Sequence, residues 1–224
     1  MKLTRMDAVA IVLTTAQAAA AVYVFGWGRL GPLPMHFGLH GEVNRWGDRT
    51  EAAIVIAVSA LATGLLYALL PALSRRRGDS DAASRGLRVA RLLLLAILSM
   101  VGLLMTAIGV GLFSAGGGSS AWLQTVFLSA ILLALGAWVG KAGPNPLVGV
   151  RTYWSLRSRL AWDKSNRLFG RIAFWTGLAG LAAGPFAPPP IALSLLLTAT
   201  MAAGALAIFE SWRVWRSDPD RTAA

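Results

Sequence analysis

The chain has 224 residues, of which 56% are hydrophobic and only 14% are charged. Soluble domains usually carry about 25% charged residues, so this composition disfavours a water-soluble globular fold. The absence of cysteine excludes disulfides, thiolate metal sites and thiol nucleophiles. The formal net charge of +11 would suggest a nucleic-acid partner in a soluble protein, but its distribution along the chain has another explanation.

Four stretches without any Asp, Glu, Lys or Arg predict membrane-spanning helices, and they cover residues 8–28, 52–74, 92–140 and 172–209. A bilayer core about 30 Å thick requires roughly 20 apolar residues per helix. The first two stretches therefore provide one span each, and the longer two provide a hairpin each. The predicted spans lie at about residues 8–25, 52–70, 92–113, 121–139, 172–185 and 191–209. The predicted fold class is an all-α, polytopic membrane protein with six transmembrane helices.

The Lys and Arg residues alternate between the connections as membrane topology predicts. Eighteen of the 21 lie in the N-terminus, the second and fourth connections and the C-terminal tail, and three lie in the first connection. Cytoplasmic loops carry an excess of cations, so both termini are predicted to face the cytoplasm. The first connection, 27–51, is then a long external loop, and the fourth, 141–171, is a long basic internal loop. We expect the N-terminal segment to be an uncleaved first span rather than a signal peptide.

Glycines inside the predicted spans are expected to let neighbouring helices approach closely, because small residues allow backbone contact between membrane helices. These glycines are Gly64, Gly102, Gly109, Gly136, Gly177 and Gly180.

The internal loop carries a recognisable pattern at residues 144–156, which read P-N-P-L-V-G-V-R-T-Y-W-S-L, followed by Trp162, Lys164, Arg167 and Gly170. It resembles the signature of the SdpI family of bacterial membrane proteins, close to P-N-x-x-x-G-[IV]-R-T-P-W-[TS]-L, then W-x-x-x-H-R and a glycine. External-loop residues 33–48 resemble the domain of unknown function often found ahead of that signature. The chain departs from the family pattern at Tyr153, where the family has proline, and at Asn166, where it has histidine.

The resemblance implies a six-span immunity protein of the bacterial cytoplasmic membrane, which protects a toxin-producing cell from its own secreted peptide toxin. It also implies signalling, in which a cytoplasmic repressor is held at the membrane when toxin is bound. The expected partners are membrane lipids, the secreted toxin and the repressor, without direct binding of nucleic acid. The predicted organisation is a two-span unit at 1–71, a basic cytoplasmic linker at 72–91, a four-span SdpI-like unit at 92–212 and a cytoplasmic tail at 213–224.

The external loop carries the residues expected to bind toxin, which are His36, Phe37, His40, Glu42, Arg45, Trp46 and Asp48. Its glycines would permit tight turns, so the loop is predicted to form a shaped cap on the outer face. The alternative is a cap that only closes the top of the helix bundle. The four-residue spacing of His36 and His40 is that of two metal ligands on one helix face, but the neighbouring glycines disfavour a helix. We therefore predict no metal and no cofactor.

The internal loop carries the residues expected to hold a partner, which are Asn145, Gly149, Arg151, Thr152, Trp154, Trp162 and Arg167. Ser155 is predicted to be the N-cap of a basic amphipathic helix that runs toward Gly170. Most cations of this helix are expected to meet anionic lipid headgroups. Arg151 and Trp154 are expected to anchor a cytoplasmic partner, because these residue types dominate binding hot spots.

Catalytic patterns are absent from the sequence, which has no nucleophile elbow, no phosphate loop and no paired carboxylates within one segment. The protein is therefore predicted not to be an enzyme. No ionisable group falls in the middle of a predicted span, which disfavours a coupled transporter. The alternative function is handling of a small molecule or lipid, by a transporter or envelope enzyme with its site at the external loop.

Overall fold

The computed structural model describes residues 4–38, 42–75, 81–112, 119–145 and 148–221. These residues form mainly helices and one small sheet, in the order α1 (Arg5–Trp27), β1 (Leu33–Phe37), β2 (Val43–Gly47), α2 (Arg49–Arg75), α3 (Asp81–Gly109), α4 (Ser119–Val139), α5 (Tyr153–Arg157), α6 (Arg159–Ala183) and α7 (Pro189–Ser217). A capping box starts α1, because the Thr4 hydroxyl accepts from the Asp7 amide at 3.2 Å and the Asp7 carboxylate accepts from the Thr4 amide at 2.9 Å.

Five of the helices are long and apolar enough to cross a bilayer. The candidate spans are Arg5–Trp27, Arg49–Leu70, Gly86–Gly109, Trp122–Val139 and Pro190–Ser217. They overlap five of the six predicted spans and confirm the all-α, multi-pass membrane class. The helices extend beyond the apolar stretches: α2 reaches Arg75 and α3 begins at Asp81, so helical residues occupy part of the predicted linker.

The remaining long helix, α6, has a charged first half and an apolar second half, and its last charged residue is Arg171. It packs against α7. Thr152 and Ser158, which precede α6, also contact Ser211 and Asp218 at the C-terminal end of α7. If α7 crosses the bilayer, the chain between those contacts must cross twice, which requires α6 to cross as well. The count of six spans stays a prediction.

The chain divides into two compact units, and each has its own apolar core. One unit comprises Met1–Leu70 with Leu94–Gln124, and the other comprises Pro71–Leu93 with Thr125–Ala224. Val24, Leu33, Ile56 and Ile108 are among the buried residues of the first core, which joins α1, the sheet, α2 and α3. The second unit buries Leu132, Ala173 and Leu196, from α4, α6 and α7. The division predicted from topology and motifs stays a prediction.

The six glycines predicted to permit close packing all lie against a neighbouring helix. An added Cβ at Gly102 would lie 2.5 Å from Oε1 of Gln17 in α1, and one at Gly136 would lie 2.3 Å from the backbone nitrogen of Phe174 in α6. Similar contacts surround Gly64, Gly109, Gly177 and Gly180. The packing prediction is confirmed. Gly204 of α7 differs, because no described atom beyond its own turn of helix lies within 4 Å of its ideal Cβ position.

Candidate functional site

The internal loop that carries the family pattern, residues 140–158, is called the signature loop below, and its residues 146 and 147 lie outside the described residues. A turn closed by Asn145 begins it. The Asn145 amide nitrogen donates to the carbonyl oxygens of Gly143 at 2.8 Å and Val148 at 3.0 Å, and its oxygen accepts from the Val148 amide at 2.8 Å. Such bonds between a short side chain and nearby backbone stabilise turns. Gly86 of α3 leaves room for this buried side chain, since a Cβ there would lie 2.7 Å from Cβ of Asn145.

Gly149 adopts a backbone conformation that residues with a side chain avoid, with φ of +127°. Its ideal Cβ position lies 2.5 Å from Oδ1 of Asn166. That oxygen accepts from the Val150 amide at 2.7 Å, and the Asn166 nitrogen donates to the carbonyl oxygen of Trp162 at 2.9 Å. The Trp162 indole donates to the carbonyl oxygen of Ala142 at 2.7 Å. Buried side chains of α6 therefore hold the signature loop at two points, Ala142 and Val150.

Two successive caps then start α5 and α6. The Thr152 hydroxyl accepts from the Ser155 amide at 3.0 Å, and the Ser155 hydroxyl accepts from the Thr152 amide at 2.9 Å and donates to the Val150 carbonyl at 2.7 Å. The prediction that Ser155 is the N-cap is wrong, because Thr152 occupies that position and Ser155 lies three residues into the motif. Ser158 caps α6 by accepting from the Ala161 amide at 2.9 Å. The sequence predicted one continuous amphipathic helix here, and the structure has two helices, the short α5 and the longer α6.

Hydroxyl contacts join the signature loop to the C-terminal end of α7. The hydroxyl oxygens of Thr152 and Ser211 lie 2.8 Å apart. The Ser158 hydroxyl donates to the carboxylate of Asp218, and both side chains are buried. Sequence analysis missed Ser211 and Asp218, because about sixty residues separate them from their partners and no local pattern links them.

The departure at Tyr153 falls at the first position of α5, where proline is favoured because its fixed φ suits a helix start. The tyrosine ring instead packs edge-on against Trp215 of α7, with centroids 6.2 Å apart. The Arg157 guanidinium lies 4.3 Å from the centroid of the same tyrosine ring. An aromatic contact therefore stands where the family pattern has a rigid residue.

At the second departure, Asn166 forms its hydrogen bonds to Val150 and Trp162 with a side chain that does not titrate. Its side chain is 1% exposed and uses one acceptor and one donor. A neutral imidazole also offers one acceptor and one donor. The bonds to the signature loop therefore do not depend on a titratable group at this position.

The predicted partner-binding residues of the signature loop and α6 fall into two groups. Arg151 and Arg167 are exposed and Trp154 is partly exposed, whereas Asn145 and Trp162 are buried. A buried side chain would affect a partner through the shape of the loop rather than by contact. Direct contact with a cytoplasmic partner stays a prediction for Arg151 and Trp154.

The loop predicted to be external, residues 27–51, contains an antiparallel hairpin that was not predicted from the sequence. Strand β1 pairs with β2 in the register Leu33 with Gly47, Pro34 with Trp46, His36 with Arg45 and Phe37 with Val43, with irregularities after Pro34 and His36. Proline and glycine are depleted in strands, so their presence here weakens the strand signal. Leu33 and Pro34 are buried, whereas His36 and most of β2 are exposed.

Polar side chains of the hairpin pair with one another and with the start of α2. Nδ1 of His36 lies 2.6 Å from Oδ1 of Asn44 on the opposite strand. Arg45 forms an ion pair with Glu51 in the first turn of α2. The Asp48 carboxylate accepts from the Glu51 amide at 2.9 Å, as a residue that caps a helix N-terminus does. These contacts fix the hairpin against α2.

The other predicted toxin-binding residues lie around the hairpin. Trp46 is 44% exposed, Glu42 is exposed and Phe37 is partly exposed. His40 lies outside the described residues. Among the described residues, no group of three or more His, Asp or Glu side chains could hold a metal ion.

A basic cleft with a volume of about 1000 Å³ lies beside the signature loop, between α6 and the C-terminal end of α4. Its cations are Lys141, Arg159, Lys164, Arg167 and Arg171. Its carboxylates are Asp163 and Glu210, and Glu210 accepts from Arg213 at 2.8 Å through both oxygens.

The helices, the hairpin and the folded signature loop define an integral, multi-pass helical membrane protein. Residues 141–211 match the family model of the SdpI/YfhL protein family. The match covers about a third of the chain and confirms the resemblance seen in the signature loop. The matched segment ends at the serine that bonds to Thr152. Comparisons with curated proteins and with solved structures found no match.

Proposed function

We propose that this chain is a non-enzymatic immunity protein of the bacterial cytoplasmic membrane, which protects the cell that makes it from a secreted peptide toxin. The observation that carries the proposal is the SdpI-family segment at residues 141–211, because toxin immunity is what the family resemblance implies. The five apolar helices support it further, since a protein embedded in the membrane is positioned where a membrane-active peptide acts.

The hairpin is the proposed toxin-binding surface. Trp46 offers an exposed aromatic ring, and the exposed pairs His36 with Asn44 and Arg45 with Glu51 add polar groups beside it. A surface with both characters can bind the apolar and polar faces of an amphipathic peptide. Tryptophan is also favoured at the interface between membrane and water, where such a peptide arrives.

Expression in a toxin-sensitive bacterium tests this proposal. The wild-type chain should raise the toxin concentration needed for killing, and Trp46→Ser should remove most of that protection. Phe186→Ser is a matched control, because Phe186 is an exposed aromatic residue (89%) in the turn before α7, predicted to lie on the same membrane face. It should protect as wild type does. Unchanged killing of cells that express the wild-type chain, for every related toxin tried, would contradict immunity.

We further propose that the signature loop holds a cytoplasmic repressor when toxin is bound, with Arg151 and Trp154 as the contact residues. Contacts of Thr152 and Ser158 with the end of α7 support this, because a shift of α7 would move the loop. Such coupling requires two arrangements of one connected element.

Recruitment of the repressor to the membrane fraction measures this second role. Arg151→Ala and Trp154→Ala should each reduce recruitment without reducing the amount of membrane protein. Arg157→Ala is the control, since the guanidinium of Arg157 is turned toward the Tyr153 ring. Equal and negligible effects of all three changes would exclude the proposed contact residues.

A further inference from the structure

The basic cleft has a shape and a charge pattern that the immunity proposal does not use. We propose that it binds a phosphate-bearing anion, and that the source is the headgroup of an anionic phospholipid from the surrounding leaflet. This proposal is independent of toxin recognition. It rests on the charge of the cleft, on the order of charged and aromatic groups along α6, and on the close approach of α4 to α6.

The charge of the cleft favours an anion. Five cations and two carboxylates line it, which leaves a formal charge of +3. All five cations are exposed, and none forms an ion pair in the part of the chain that the structure describes. Glu210 is neutralised by Arg213, so it opposes an anion less than its formal charge suggests. A guanidinium group can donate two parallel hydrogen bonds to the oxygens of one phosphate, so arginines suit a phosphate-bearing anion.

The order of charged and aromatic groups along the cleft favours a lipid. Arg159, Asp163, Arg167, Arg171 and Trp175 all line it at four-residue spacing, so neighbouring members of the series form one continuous ridge along α6. This stripe is about 24 Å long, at 1.5 Å per residue. Its first part is charged, and its last residue is an indole that is 65% exposed.

An anionic phospholipid has the same order of groups, with a phosphate at the surface and acyl chains below it. An acidic segment of a soluble protein would match the cations but would leave the aromatic end without a partner. Trp175 is held edge-on by Phe174, with ring centroids 5.5 Å apart, and both rings line the cleft. The lipid therefore accounts for both ends of the cleft.

Small residues on α4 and just after it let this part of the chain approach α6 closely beside the cleft. The small residues in the lining are Gly136, Ala137, Gly140, Ala142 and Gly143. Contact between the two elements is close, since a Cβ at Gly140 would lie 3.2 Å from Cα of Arg167. The long cationic side chains can therefore surround a headgroup while the backbones stay in contact.

The test uses the full-length protein in nanodiscs of neutral phosphatidylcholine, with phosphatidylglycerol added in increasing fractions. Native mass spectrometry measures how much phosphatidylglycerol each protein retains. The variant Arg167→Gln with Arg171→Gln removes two cleft cations, and Arg5→Gln with Arg88→Gln removes two exposed cations elsewhere that are predicted to face the same side. The cleft variant should bind phosphatidylglycerol about 30-fold more weakly, from the attraction that two surface cations supply. The control pair should change binding by less than about twofold.

Further arms identify the source of the anion. Inorganic phosphate and an acidic peptide are each titrated into the neutral nanodiscs. Binding of phosphate as tight as that of phosphatidylglycerol would overturn the lipid source, and cleft-dependent binding of the peptide alone would make the cleft a protein-docking surface. Equal loss in both double variants would reduce the effect to general surface charge and refute the proposal. If the arginine variant fails to fold, Lys141→Gln with Lys164→Gln removes two other cleft cations and should weaken binding in the same way.

Discussion

Gly149 provides the sharpest test of how the signature loop is held. In Gly149→Ala, the new Cβ would be placed 2.5 Å from Oδ1 of Asn166, at a φ of +127°. A strained backbone of this kind costs about 1–3 kcal/mol. Displacement of Asn166 would also leave the Val150 amide without its acceptor, at a cost of about 1–3 kcal/mol. We therefore expect a loss of about 2–6 kcal/mol in the free energy of unfolding.

Two other glycines separate these contributions. Gly31 has φ of +107° with no atom within 4 Å of its ideal Cβ, so Gly31→Ala should show strain alone and lose about 1–3 kcal/mol. Gly204 lies in a helix with open space, so Gly204→Ala should be as stable as wild type or up to about 1 kcal/mol more stable. The expected order of stability is Gly204→Ala, then Gly31→Ala, then Gly149→Ala.

Unfolding by dodecyl sulfate in mixed micelles, followed by circular dichroism, measures the three free energies. Hydrogen exchange of the Val150 amide gives a local readout, because only Gly149→Ala should accelerate it strongly. A Gly149→Ala protein as stable as wild type, with normal exchange at Val150, would refute the account of the loop.

Three further changes test the packing and the caps by the same unfolding assay. Gly136→Ala should lose about 1–3 kcal/mol in the free energy of unfolding, because the new methyl group meets the backbone nitrogen of Phe174 at 2.3 Å and the helices must separate. Stability equal to that of Gly204→Ala would contradict this contact. Asn166→Leu should lose about 1–3 kcal/mol by leaving the Val150 amide unbonded, and a neutral effect would mean that water or another group replaces the acceptor. Thr152→Val should lose about 1–2 kcal/mol, because it removes the N-cap oxygen of α5 and the bond to α7, whereas Thr152→Ser should retain both.

The helical part of the fold was predictable because long uncharged stretches permit few alternatives. Residues 8–28 and 52–74 lie almost entirely within α1 and α2, and the six glycines predicted at helix contacts all lie against a neighbouring helix. The hairpin was not predictable, because its strands have five residues each and contain proline and glycine. Its pairing depends on contacts with the start of α2, such as that between Arg45 and Glu51, rather than on a local pattern.

The candidate site was predictable where residues carry a family pattern, and not where they act through distant contacts. The pattern identified Gly149 and the position of Asn166, which meet in the structure. It could not identify Asp218, whose bond to Ser158 joins residues sixty positions apart. The choice of Ser155 as N-cap failed because this serine lies at the third helical position and completes a capping box there, where glutamate or glutamine is usual.

The central claim is the prediction, from the distribution of Lys and Arg, that the hairpin and the signature loop face opposite sides of the membrane, and labelling of single cysteines tests it most directly. The chain has no cysteine of its own, so Trp46→Cys, Leu156→Cys and Phe186→Cys each introduce one thiol at an exposed position. A membrane-impermeant maleimide applied to intact cells should label the thiols at positions 46 and 186, and should label the thiol at position 156 only after permeabilisation. Labelling of position 156 in intact cells at the same rate as position 46 would contradict the claim.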